Sequence, residues 1–104
     1  GFYTEKPQLN FQRLKEVNDA VSIPLVLHGG TGIPDEDIQH AIRNGINKVN
    51  VGTHLHHTYI QNARRVLADE KVSSNVLDLM VPVKEAIKEP VKHWIHVCMA
   101  NNRI

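Results

Sequence analysis

The sequence has a single cysteine, Cys98, so no internal disulfide is possible and a cross-linked secreted scaffold is excluded. A reducing compartment suits such a chain, and the cytoplasm is its expected location. No stretch approaches the run of about 18 apolar residues at which a membrane span is read. Residues 1–12 carry neither the basic start nor the apolar middle of a signal peptide. Neither sign of charge dominates: 12 basic side chains stand against 11 acidic ones, a formal net charge of +1. The strong cationic field that nucleic acid or an acidic membrane calls for is therefore missing, and neither partner is expected. Internal repeats, low-complexity tracts and linkers are also lacking, so nothing marks a domain boundary. The first residue is Gly1 rather than methionine, which points to processing, proteolysis or a sequence cut from something longer.

What is present fits one domain at most, since the chain has 104 residues. A modest core is possible at this size, but a complete eight-fold α/β barrel, which needs about 250 residues, is not. Asn10 is placed to cap a helix whose Phe11, Leu14, Val17 and Val21 recur every three or four positions and define one apolar face. Residues 23–27 form a short apolar run that reads as a buried strand, with Pro24 at its entry and a glycine-rich loop at its end. Pro34 and the acidic trio Asp35, Glu36 and Asp37 open a second helix that Gly45 stops. Residues 46–51 alternate as a second strand. Beyond it Leu55, Tyr59, Ala63 and Val66 trace one helical stripe. A last amphipathic helix over residues 76–99 carries Val76, Leu79, Met80, Val83, Ile87, Val91, Trp94, Ile95 and Cys98, with Pro82 and Pro90 expected to start or kink it.

The crossover between the two strands is long enough for a helix, so the strands are expected to pair in parallel, which makes this α/β architecture. Two strands alone cannot cover both faces of a parallel sheet or close a barrel. The pattern is that of a piece of a larger sheet.

Both loops that follow the strands have the composition of an anion site: His28-Gly29-Gly30-Thr31-Gly32 after the first, Asn50-Val51-Gly52-Thr53 after the second. Residues without a Cβ let a ligand approach the main chain, and free N–H groups at the start of the next helix attract a phosphate. The alternative is that the glycines only shape tight turns. His28, at the carboxyl end of an apolar strand, is either a metal ligand or a hydrogen-bonded structural histidine; catalytic zinc needs about three protein ligands, and no second histidine lies at a recognised spacing from it. His54, His56 and His57 do not share a helix face and read as a solvated helix start. Asn50 faces the same end as His28, where its amide is available to a substrate oxygen or to a buried backbone group. The acidic trio at residues 35–37 is explained by the helix dipole, and Trp94 and Cys98 by core packing.

The run Pro24-Leu25-Val26-Leu27-His28-Gly29-Gly30-Thr31-Gly32-Ile33-Pro34, followed by Lys48-Val49-Asn50-Val51-Gly52-Thr53, resembles the carboxyl-terminal motifs of the class II, zinc-dependent fructose-bisphosphate and tagatose-bisphosphate aldolases. Gly1-Phe2-Tyr3 and Pro7-Gln8-Leu9-Asn10-Phe11 extend the match. It covers nearly the whole chain but only about the final third of such an enzyme. The resemblance implies that residues 1–104 are the last section of a (β/α)8 TIM barrel, with strands 7 and 8 at residues 23–28 and 47–52. It implies reversible cleavage of a ketose 1,6-bisphosphate to dihydroxyacetone phosphate and glyceraldehyde 3-phosphate, and a place in carbohydrate metabolism such as glycolysis.

His28 is then one of three zinc-binding histidines, the metal acting as a Lewis acid. Gly1, Gly29, Gly30, Thr31, Asn50, Val51, Gly52 and Thr53 match substrate-binding positions, Gly1 directly following another zinc histidine. Some relatives also carry a sodium or potassium ion near the phosphate. The other zinc histidines and the proton donor lie upstream, so no catalytic acid or base is expected within this chain, which alone should be inactive. The implied partners are the sugar phosphate, the upstream part of the barrel and further copies in a homo-oligomer. His54 departs from the family, where an acidic residue is common. Two other readings remain at this point: a metal-independent phosphate-binding barrel enzyme, and a truncated, non-catalytic association module.

Overall fold

The computed structural model describes residues 7–70 and 72–103, and its elements run α1 (Phe11–Ala20), β1 (Leu25–Leu27), α2 (Asp35–Arg43), β2 (Ile46–Val49), α3 (Thr53–Leu67) and α4 (Val76–Val97). Three of the four helices, α1, α2 and α4, begin where the sequence supplies a start signal. The Asn10 side chain accepts from the Arg13 N–H at 2.9 Å, and the Asn75 side chain accepts from the Leu77 N–H at 3.1 Å. Pro34 caps α2 and accepts at its carbonyl from Asp37 and Ile38, while three acids occupy that helix's positive end. At the other end Gly45 takes φ +117°, a left-handed conformation that ends the helix and turns the chain into β2.

β1 and β2 pair in parallel, with Leu25 opposite Ile46, Val26 opposite Lys48 and Leu27 opposite Val49. The register slips between the first two pairs, which leaves Asn47 as the extra residue. Its side-chain oxygen accepts the Leu25 N–H at 3.0 Å and so replaces a ladder bond. Both strands are shorter than residues 23–28 and 47–52, because beyond Leu27 and Val49 the chain bends into the glycine-bearing loops. The pairing nevertheless continues past them: Asn50 N–H donates to the Leu27 carbonyl at 2.9 Å, and Gly30 N–H donates to the Asn50 carbonyl at 3.3 Å.

A core cluster packs against this two-stranded sheet. Ile33, Ile38, Trp94 and Val97 cluster there, with Leu27, Val49, Val51, Leu55 and Cys98 packed around them. Trp94 and Val97 bring the carboxyl-terminal end of α4 into this cluster. Pro82 and Pro90 both lie inside that helix and neither starts it. The apolar stripes are used only in part. No α1 residue is buried, and Val17 and Val21 stay exposed; Phe11 instead stacks on the His40 ring at 4.2 Å. Tyr59 is exposed on α3, as are Val76, Met80, Val91 and Ile95 on α4. The radius of gyration is 17.5 Å, against about 13 Å for a compact domain of this length.

Candidate functional site

His28 and Asn50 follow directly from the paired ends of the two strands, and that adjacency defines the site. The Leu27–Val49 pairing brings the two side chains together, with Asn50 Nδ2 3.1 Å from His28 Nδ1. His28 is exposed and does not point into packed hydrocarbon. With the amide nitrogen donating, Nδ1 accepts and the ring proton sits on Nε2. Turned end for end, the amide offers Oδ1 to an Nδ1–H and opens Nε2 to a cation. Asn50 therefore governs which ring nitrogen is available, the role that a ligating histidine's hydrogen-bond partner plays in metal sites.

The two loops meet around this pair. Gly32 has φ +91°, which a residue with a Cβ rarely adopts, and this turns the first loop back toward α2. Gly30 is buried and needs its missing side chain for another reason. A Cβ there would stand 3.1 Å from Val49 Cγ1 and 3.4 Å from Trp94 Cη2. Its N–H donates to the Asn50 carbonyl, and its lack of a side chain gives the site its shape here. Thr31 is half-buried, and its Oγ1 accepts the His54 N–H at 3.3 Å, tying the first loop to the first turn of α3. That hydroxyl oxygen is thus partly committed within the protein.

Gly52 caps α3, with the His56 N–H donating to its carbonyl at 3.0 Å. The first-turn N–H groups of Thr53 and Leu55 have no hydrogen-bond partner among the described residues. These, with the Thr53 hydroxyl, are the anion donors that the second loop offers. Val51 is half-buried against the core and Gly29 lies exposed at the loop tip. Gly1, matched to a substrate position, lies outside the described residues.

His54 is not a solvated helix start. Its ring is half-buried, and its Nδ1 accepts from Trp94 Nε1–H at 3.0 Å across 40 residues of sequence. His56 and His57 are exposed, as expected. Trp94 is a core residue, but it also carries this polar contact, which sequence periodicity does not show. A buried indole N–H needs an acceptor; that requirement is the only signal the sequence holds, and it does not say which residue answers. The acidic trio stays at the start of α2, where Asp35 lies 3.4 Å from His93 Nε2. Burial pushes the Cys98 thiol above its ordinary range. Among the described residues no group of three or more His, Cys, Asp or Glu is positioned to hold a metal ion. His28 fits one donor of a set whose other members would come from elsewhere.

The family model for class II fructose-bisphosphate aldolase matches residues 1–103. The chain belongs to the class II fructose-bisphosphate aldolase family. Among solved structures it is similar to the YdjI aldolase from Escherichia coli K12, at 38% identity and a TM-score of 0.85 over 98% of this chain. That match spans 37% of the YdjI aldolase chain. In this aldolase-family chain, the exposed histidine, its asparagine partner and the two glycine-bearing loops share one end of the sheet.

Proposed function

We propose that these residues are the carboxyl-terminal section of a zinc-dependent class II aldolase barrel, with β1 and β2 as its strands 7 and 8. The reaction is reversible cleavage of a ketose bisphosphate, of the fructose or tagatose series, to dihydroxyacetone phosphate and a three-carbon aldehyde. The observation that carries the reading is the His28–Asn50 contact at the carboxyl ends of adjacent parallel strands, where barrel enzymes place their reactive groups. The exposed apolar residues and the large radius of gyration also support it, since an upstream barrel would cover surface that this chain leaves bare. Further copies of the enzyme are a second claimant to that surface. Among the described residues no helix is long and apolar enough to cross a membrane.

In this reading the substrate phosphate lies against the start of α3. There the N–H groups of Thr53 and Leu55 and the Thr53 hydroxyl donate to its oxygens, helped by the positive end of the helix dipole. Asn50 holds the His28 ring with one end of its amide and presents the other end to an oxygen of the reacting carbons. His28 is the metal ligand that this chain contributes, a neutral imidazole as such a site requires. When bound, zinc supplies Lewis acidity toward the substrate oxygens. A monovalent cation near the phosphate would further offset its charge. The remaining ligands and the proton donor belong to the upstream part of the barrel.

The test uses a chain in which these residues are completed by the upstream barrel. Purified enzyme should contain zinc, cleave ketose bisphosphate and lose that activity to a chelator. His28→Ala should abolish both zinc retention and turnover while leaving the far-ultraviolet dichroism of the barrel unchanged. A rate indifferent to chelator favours a metal-independent phosphate-binding barrel. Full zinc occupancy in the variant removes His28 from the ligand set.

A further inference from the structure

Three contacts and one peptide bond form a closed circuit behind the loops. Trp94, on α4 and almost fully buried, packs its six-membered ring under Gly30, so that a Cβ on Gly30 would come within 3.4 Å of Cη2 and 3.5 Å of Cζ3. Its Nε1–H donates to His54 Nδ1 at 3.0 Å, with the two rings edge to face at 6.3 Å. The His54 N–H donates to Thr31 Oγ1 at 3.3 Å, and Thr31 follows Gly30. One indole therefore touches the first loop through its six-membered ring and the first turn of α3 through its N–H, and Thr31 joins those two segments directly.

We propose that Trp94 is a positioning residue for phosphate binding, bracing the loop over residues 28–32 against the start of α3 through His54. The inference rests on the phosphate site described above, to which it adds a supporting member from a helix that touches no substrate. Physically, the anion donors of Thr53 and Leu55 are useful only while the first turn of α3 stays in place. That turn bears no buried residue, since none of α3 is buried. Leu55 packs part of its side chain against the core cluster, and the His54 ring and backbone add the polar tether that fixes the turn relative to the first loop. Because the neutral ring accepts at Nδ1, its proton is on Nε2, so the brace also selects one tautomer of His54.

The experiment compares wild type, Trp94→Phe, His54→Leu and the double variant in the completed enzyme. KM for ketose bisphosphate, kcat, and Kd for inorganic phosphate by calorimetry are measured for each. Trp94→Phe keeps a ring in the core and removes the N–H; His54→Leu leaves the indole intact should the first variant fold poorly. Each single variant should raise KM and the phosphate Kd roughly three- to tenfold, the range for one neutral hydrogen bond, with kcat within about twofold of wild type. The double variant should be no worse than the weaker single one, because both remove the same bond. Nitrogen-15 spectra of wild type should show His54 protonated at Nε2 and bare at Nδ1.

Unchanged phosphate affinity in folded variants, penalties that multiply, or a loss confined to kcat each overturn the brace. A wild type that cleaves no ketose bisphosphate but binds phosphate, with the variants weaker, refutes the aldolase reading and leaves the brace standing. A wild type that binds no phosphate refutes both.

Discussion

Gly30→Ala isolates one contact, because Gly30 is not among the residues with positive φ and its backbone suits alanine. What opposes the methyl group is space: Val49 Cγ1 at 3.1 Å on one side and the Trp94 ring at 3.4 and 3.5 Å on the other. Val49 sits in β2 and Trp94 in the core cluster, so neither is a loose surface side chain that can swing away. Overpacking of this kind costs about 1–3 kcal/mol. Against that, alanine narrows the unfolded ensemble by about 0.4–1 kcal/mol. The expected net loss is roughly 0.5–2 kcal/mol. Gly52→Ala is the control, since the nearest atom to its added carbon is His56 Cε1 at 3.9 Å, ordinary van der Waals contact. It should fall within about 0.5 kcal/mol of wild type or slightly above it. Urea titrations of the completed enzyme followed by dichroism, with the slope held common to all three proteins, measure the difference in midpoint. Equal midpoints for the two variants would refute the argument that Gly30 exists for close approach.

Two further outcomes follow from the same geometry. Thr53→Val keeps the shape of the first residue of α3 and removes its hydroxyl; a hydrogen bond to a charged phosphate is worth about 1.5–3 kcal/mol, so KM for the sugar bisphosphate should rise roughly tenfold or more with little change in kcat. An unchanged KM argues against a phosphate contact there. For Cys98 the folded thiol titrates above the ordinary value of 9.0, so burial favours its neutral form. The unfolded chain then loses its proton first, and the contribution of this group to stability is present below the unfolded pKa and declines as pH rises through it. Alkylation of native protein should accordingly be slow near neutral pH and its midpoint should lie above that of the urea-unfolded chain. Coincident midpoints would contradict the burial argument.

The starts of α1 and α2, the parallel pairing and the end of the sheet that carries the candidate site were readable from local chemistry. Caps such as Asn10, the acidic trio before Ile38 and the apolar run over residues 23–27 each depend on neighbours a few residues away. The extent of burial was not readable in the same way. Phe11, Leu14, Val17 and Val21 share a helix face by spacing, yet spacing states only that a face exists, and in this chain little lies against it. Strand ends were overrun for a related reason: Gly30 and Asn50 still exchange a ladder-like hydrogen bond after the chain has left β geometry, so strand-like sequence continues where the strand does not.

The site divides along the same line. His28 and Asn50 each end an apolar strand, and the parallel register alone places them side by side. Their roles come from residue type at a position that topology fixes. His54 and Trp94 stand 40 residues apart, and their contact depends on the angle at which α4 packs against α3. No local pattern encodes that angle. The composition of residues 28–32 suggested amide donors to a phosphate; the structure shows Gly30 making room for the indole and Thr31 tying the loop to α3, and the first-turn N–H groups of Thr53 and Leu55 without a partner among the described residues. In the proposed phosphate site, a glycine-rich loop serves the anion chiefly by letting a large aromatic side chain come close enough to hold the donors still.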